Sequence, residues 1–180
     1  GSLNHAILER LVATLEAKGH PVTLLDLYAD QFNPVLSAAD LAVYGEGKTT
    51  DPQVERYVQI LDQTEQIIFI YPIWWGGMPA ILKGFVDRVL VKGFAYDYSD
   101  NPIPQALLKG RTGWVITTHD TVGFFARFFV QDYGRVMVRQ VLGMVGIKPV
   151  KQSQLAYVRG SKPEKIVAFL DKIQAQAASL

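Results

Sequence analysis

Ile67-Ile68-Phe69-Ile70-Tyr71-Pro72-Ile73-Trp74-Trp75-Gly76-Gly77-Met78-Pro79 reads as a strand, a turn and the entry to a helix. Ile67 to Tyr71 is a continuous apolar run, as expected of a parallel strand covered on both faces. Pro79 suits the first turn of a helix. Ile81, Leu82, Phe85, Val86, Val89 and Leu90 then continue that helix at helical spacing. Residues 71–79 therefore follow the carboxyl end of a strand, which is where open α/β sheets bind ligands. Gly76 and Gly77 allow close backbone approach. Two adjacent tryptophans offer flat apolar surface, and the backbone amides suit the polar edge of a flat heterocycle. The same residues also read as a tight turn with core tryptophans, because aromatics are usually core.

On the amino-terminal side, Ile7, Leu8, Leu11, Val12 and Leu15 form one face of a helix, with Gly19 as its terminator. Val22 to Leu25 reads as a short apolar strand. Residues 27–50 read as loop, with one short helix near Ala38 to Tyr44. Val54, Tyr57, Val58 and Leu61 give a second helical face. Beyond the central segment comes a loop with Pro102 and Pro104. Trp114 to Thr117 is the next buried strand. Val138, Val141, Leu142 and Val145 mark a helix ended by Gly146. Residues 149–158 hold a less distinct strand, and Ile166, Phe169, Leu170 and Ile173 close the chain as a helix. This alternation predicts a parallel sheet with helices on both faces. No repeat, low-complexity tract or linker divides it, so residues 1–180 are expected to form a single domain.

Hydrophobic residues make up 49% of the chain and charged residues 19%. The charged share is below the usual ~25%, so much of the chain should be buried, partly in an oligomer interface. A net charge of +1 with no run of one sign argues against nucleic acid and membrane surfaces as partners. No apolar run reaches the ~18 residues that span a bilayer, and no signal peptide is visible. The absence of cysteine removes disulfides, thiolate catalysis and cysteine metal sites together. A cytoplasmic address is the default expectation. Walker loop, strand-linked Gly-x-Gly-x-x-Gly, nucleophile elbow and zinc-type histidine pair are all missing, and no metal is expected.

Tyr71 to Phe85 resembles the diagnostic stretch of the NAD(P)H:quinone oxidoreductase family. Phe94-Ala95-Tyr96-Asp97-Tyr98 is similar to a second family segment, and Ser2-Leu3-Asn4-His5-Ala6 to a third. Gly146-Ile147-Lys148-Pro149-Val150 resembles the lead-in to the family's last strand. The resemblance covers nearly the whole chain. It implies a flavodoxin-like, doubly wound parallel sheet in three α/β/α layers, with strand order 2-1-3-4-5. It also implies a bound flavin, FMN with FAD as the alternative, and NAD(P)H as co-substrate. The expected reaction is a two-electron, ping-pong transfer from NAD(P)H to a quinone or similar flat acceptor, by a homodimer. Some similar proteins are ancillary regulatory subunits of glutathione-gated potassium efflux systems, which gives a second reading. A third is a flavin-free, inactive chain.

By this resemblance Pro72, Ile73, Trp74, Trp75 and Gly76 hold the isoalloxazine ring. Ser2, Leu3 and Asn4 hold flavin phosphates, which suits a helix N-terminus with its free amides. From the residues alone Ser2 reads as a plain N-cap, or Gly1-Ser2 as a cloning remnant. Thr117, Thr118, His119 and Asp120 match the second flavin loop, where the family usually has glycines in place of His119 and Asp120. His119 reads either as a catalytic group stabilising negative charge on reduced flavin or as a solvated loop histidine. Tyr96 and Tyr98 match tyrosines that reach the neighbouring subunit's active site, and with Trp75 they are the expected substrate contacts. Ordinary loop packing is the other reading of that pair. Tyr133 is too uncertain a match to the family's downstream hydride-transfer tyrosine to take its role.

One feature departs from the expected pattern. The chain starts with a helix where a flavodoxin-like sheet has its interior first strand. Five buried apolar side chains at roughly 1.5–3 kcal/mol each would rival a net stability of about 5–15 kcal/mol. Either that strand lies upstream of Gly1 or another segment takes its place.

Overall fold

In a computed structural model, residues 2–98, 102–128 and 134–180 are described, so Gly1 and Tyr133 lie outside the described residues. The elements are α1 (Leu3–Ala17), α2 (Ala38–Tyr44), α3 (Pro52–Asp62), β1 (Gln66–Pro72), α4 (Ala80–Val89), β2 (Tyr96–Asp97), β3 (Gln105–Ala106), β4 (Thr112–His119) and α5 (Gly123–Phe128). A π-helix over Val136–Leu142 runs into α6 (Gly143–Val145), followed by β5 (Val150–Ala156) and α7 (Pro163–Ala177).

The main sheet has the order β1-β4-β5 and is parallel throughout. Its register sets Ile70 against Ile116 and Thr117 against Gln154, so all three strands point their carboxyl ends the same way. Side chains alternate across the pleat. Ile67, Phe69, Tyr71 and Val115 pack with Val54, Tyr57, Leu61, Leu82, Phe85 and Leu142, so α3, α4 and the π-helix cover one face. Trp114, Ile116, Ile68 and Ile70 pack with Ile7, Leu11, Leu15, Phe169 and Ile173, so α1 and α7 cover the other. The expected three-layer flavodoxin-like arrangement is present.

No strand precedes β1 among the described residues, and β1 forms the edge of the sheet. The expected strand over residues 22–25 does not form. Val22 packs against one core and Leu25 against the other, while Leu24 is exposed. A strand exists only with a ladder partner, and the order 2-1-3-4-5 gives this segment no partner other than the first strand.

The long connection from residue 27 to 51 is not free. Arg88 at the end of α4 is buried and donates from Nη2 to Asp40 Oδ2 at 3.1 Å and to Asp51 Oδ2 at 2.8 Å. Its Nη1 donates to the Asn33 carbonyl at 2.6 Å. Pro34 lies so close to α4 that a Cβ on Gly84 would fall 2.3 Å from the proline Cβ. Ser37 and Asp40 form a reciprocal capping box that starts α2. These contacts press residues 33–51 against α4.

Candidate functional site

The carboxyl end of the sheet gathers three segments that are far apart in sequence. Thr118, the penultimate residue of β4, donates its hydroxyl to the Asn4 side-chain oxygen at 2.9 Å. Its backbone carbonyl accepts from the Ile73 amide at 2.8 Å. One residue thus joins the amino end of α1, the loop after β1 and the end of β4. Ser2, Leu3, Asn4, Pro72, Ile73, Thr117, Thr118, His119 and Asp120 are all brought to this rim.

Ser2 is the N-cap of α1, and its hydroxyl accepts from the His5 amide at 3.2 Å. The amides of Leu3 and Asn4 lie outside the helix ladder, and no acidic residue stands in the first turn. The two readings of Ser2 are compatible, because a capped helix still presents its first amides and positive dipole end to an anion.

After β1, Trp74 and Gly77 close a two-residue turn. The Trp74 amide donates to the Gly77 carbonyl at 2.9 Å, and the Gly77 amide donates back at 3.0 Å. The central residues Trp75 and Gly76 have φ of 50° and 80°, the signature of a type I′ turn. Such a turn suits Asn-Gly, and a left-handed tryptophan costs about 1–2 kcal/mol. The result is an indole held fully out of the protein, with Trp74 half exposed beside it. Of the two readings of these tryptophans, the core one does not hold. Strain of this kind gathers at ligand sites.

The β4 end differs from expectation in what its side chains do. Thr117 is fully buried. His119 is only 5% exposed, so it is not a solvated loop histidine. Burial pushes its imidazole below the usual histidine range, opposed by a hydrogen bond to the Thr121 backbone and the charge of Asp120. The ring is therefore neutral near pH 7 and does not offer a fixed positive charge. Asp120 turns sideways. It accepts from the Arg159 amide at 2.7 Å and from the Arg159 guanidinium at 3.3 Å, tying the β4 loop to the loop after β5. That carboxylate is thus engaged by Arg159.

A histidine held neutral by burial gives a signed pH prediction. Its folded pKa lies below the unfolded 6.5, so its contribution to stability is complete above pH 6.5 and is lost as pH falls through the folded value. His119→Asn should therefore flatten the loss of stability between about pH 7 and about pH 5. Urea midpoints at the two pH values test this, and equal slopes in both proteins would refute it.

Tyr96 and Tyr98 are not at this rim. Their rings meet edge to face, with centroids 5.7 Å apart. Tyr96 pairs with Ala106, and Leu108 bonds to Val145, where β4 and β5 begin. From Trp75 they are separated by the whole of α4, about 15 Å of helix. Sequence reasoning missed the Arg88 network and the Asp120–Arg159 tie. The Ser37-x-x-Asp40 capping box was a readable signal for the first; nothing local signals the second. No cluster of metal-ligating residues and no helix long and apolar enough to cross a membrane occur among the described residues.

Comparison with known proteins places this geometry in context. The model of the Flavodoxin_2 family, described by its flavodoxin-like fold, matches residues 1–177. A Haemophilus influenzae protein named as an uncharacterized NAD(P)H oxidoreductase is 39% identical over 152 residues, 83% of this chain and 74% of its own length. Rat NAD(P)H dehydrogenase (quinone) 1 is 37% identical over 115 residues, 54% of this chain and 42% of its own length. The match therefore spans less than half of the rat enzyme. A crystal structure from Streptococcus mutans superposes with a TM-score of 0.90 at 38% identity, covering 100% of this chain and 94% of that one.

Proposed function

This chain belongs to the flavodoxin-like Flavodoxin_2 family, and we propose that within it the chain is a flavin-dependent NAD(P)H:quinone oxidoreductase. The observation that carries the reading is Thr118, which joins Asn4 to the Ile73 loop. A site for a flat cofactor with an anionic tail needs a flat wall and an anion cradle fixed to one another. Thr118 supplies that fixed relation.

The residues present fit a flavin. The Leu3 and Asn4 amides and the positive end of α1 would hold its phosphate. Pro72, Ile73, Trp74, Trp75 and Gly76 would bound the ring, with backbone amides for its polar edge. Thr118 sets the spacing of the two. FMN is the flavin proposed, with FAD the alternative. When bound, flavin supplies hydride acceptance from NAD(P)H and delivery of two electrons to the acceptor. Trp75 would stack on whichever flat substrate occupies the slot and exclude water from it. His119, neutral and buried at the end of β4, would act only as a hydrogen-bonding group there. NADH or NADPH would be the donor and a quinone the acceptor.

The position of the tyrosine pair supports a second copy of the chain as partner. Tyr96 and Tyr98 are separated from their own Trp75 by the whole of α4, so the slot they would line is that of a second copy. A homodimer in which each copy lends this pair to the other is the arrangement that uses them. A cytoplasmic location agrees with the use of NAD(P)H.

The purified protein should be yellow, and heat should release FMN. Steady-state rates at varied NADPH and menadione should give parallel double-reciprocal lines, since donor and acceptor use one slot in turn. Intersecting lines would sink the shared slot, and a colourless protein that takes up no added flavin would sink the reading itself.

A further inference from the structure

Residues 33–51 have no part in the site at the carboxyl end of the sheet, yet four separate contacts fix them to the segment 84–96. Pro34 fills the space over Gly84. Arg88 binds Asn33, Asp40 and Asp51. Lys92 donates to the Gly45 carbonyl at 3.3 Å. Finally, the Tyr44 hydroxyl lies 3.4 Å from the Tyr96 hydroxyl.

Burial alone does not require this last contact. Tyr44 and Tyr96 are each only partly buried, so both hydroxyls could have been solvated instead. Tyr44 ends α2, whose start is fixed by the Ser37–Asp40 capping box and the Asp40–Arg88 ion pair. The hydroxyl is thus delivered from a rigid element. Tyr96 in turn packs edge to face on Tyr98, whose ring is 53% exposed. The backbone around Tyr96 is held as well: its carbonyl accepts from Gly93 at 2.8 Å, and it pairs with Ala106. With the backbone fixed, the ring's remaining freedom is rotation about its own side-chain bonds. The Tyr44 hydroxyl is the polar contact that restrains it.

We propose that Tyr44 is a positioning residue, which acts through Tyr96 to set the angle of the exposed Tyr98 ring and so the fit of a flat acceptor. This rests on the quinone-reductase reading and deepens it, because a wall supplied from one copy to the slot of another has to be rigid before the copies meet. The environment of Tyr96 agrees. Burial, and then the hydrogen bond with Tyr44, push its phenol up to about 12, against the opposing charge of Lys92.

The test uses the flavin-loaded protein with NADPH and menadione, and the variants Tyr44→Phe, Tyr96→Phe and the double variant. Tyr44→Phe should raise the menadione KM about two- to tenfold, the range expected for one lost hydrogen bond, and leave kcat unchanged. The double variant should be no worse than either single, since both remove the same bond. Titration of tyrosine absorbance, with the double variant as the blank, should show Tyr96 ionising below its wild-type midpoint in Tyr44→Phe. An unmoved KM, effects that multiply in the double variant, or an unmoved Tyr96 midpoint would each overturn the proposal. If the wild type fails to reduce menadione while the Tyr96 midpoint still moves, the quinone-reductase reading is what has failed, because the titration reports the contact without any turnover.

Discussion

Arg88→Leu should lower folding stability by about 3–5 kcal/mol, the range for removing one partner of a buried ion pair. Arg88 is 4% exposed and Asp40 is 5% exposed, so neither charge is served by solvent. Asp40 cannot escape by taking up a proton. Burial raises its carboxyl, but hydrogen bonds from the Ser37 hydroxyl and amide and the Thr50 hydroxyl and amide outweigh that and hold it at about 2. Without Arg88 it remains a buried carboxylate with no counter-charge. The Asn33 carbonyl loses its donor as well, and the Phe32 ring loses the guanidinium 5.5 Å from its centre. Arg88→Lys should cost less but still be measurable, because an ammonium cannot serve Asn33, Asp40 and Asp51 with a rigid fork. Urea denaturation at pH 7 gives the number. A loss below about 1 kcal/mol would show that the 33–51 segment is held by packing alone.

That network also shows where sequence reading stops. The helices α1, α3, α4 and α7 and the strands β1 and β4 were legible, because each carries an apolar period or run that matches its own geometry, whereas β5, with Val150 and Leu155 set among polar residues, was only indistinct. Ala38–Tyr44 was legible as a short helix. The strand expected over residues 22–25 was not real, since composition reports an apolar run but not whether a neighbour exists to pair with it. The two-residue strands β2 and β3 and the six-residue α5 are too short to show a period. At the site, motif resemblance found the segments but not their contacts. Asn4 and Thr118 are 114 positions apart, and only the fold makes them neighbours. Asp120 was expected as a cofactor contact in a glycine's place; its bond to the Arg159 amide depends on a loop that no local pattern predicts. The same holds for Trp75. Two glycines announce a turn, but a tryptophan in the left-handed region is contrary to its preference and cannot be inferred from propensity.

The strained turn at Trp75 gives the largest functional prediction, for Gly76→Val. A β-branched residue at φ 80° is strained whatever space surrounds it, at a cost of about 1–3 kcal/mol. Nothing lies within 4 Å of a Cβ placed on Gly76 or Gly77. Trp75 is fully exposed. The turn is therefore joined to the core through Ile73 and Met78 at its two ends, and its tip can open without unfolding what lies beneath. The strain should accordingly appear in ligand binding and little in global stability. The flavin Kd should rise roughly 5- to 150-fold, which is 1–3 kcal/mol expressed as affinity, with the urea midpoint almost unchanged. Gly76→Asn separates conformation from bulk, because asparagine tolerates the left-handed region while adding a side chain of similar size. It should keep affinity near the wild-type value. Flavin fluorescence titration of the three proteins decides the matter: equal losses for valine and asparagine would mean that added bulk, not the turn, sets affinity. No loss for valine would mean that the flavin does not rest on this turn at all.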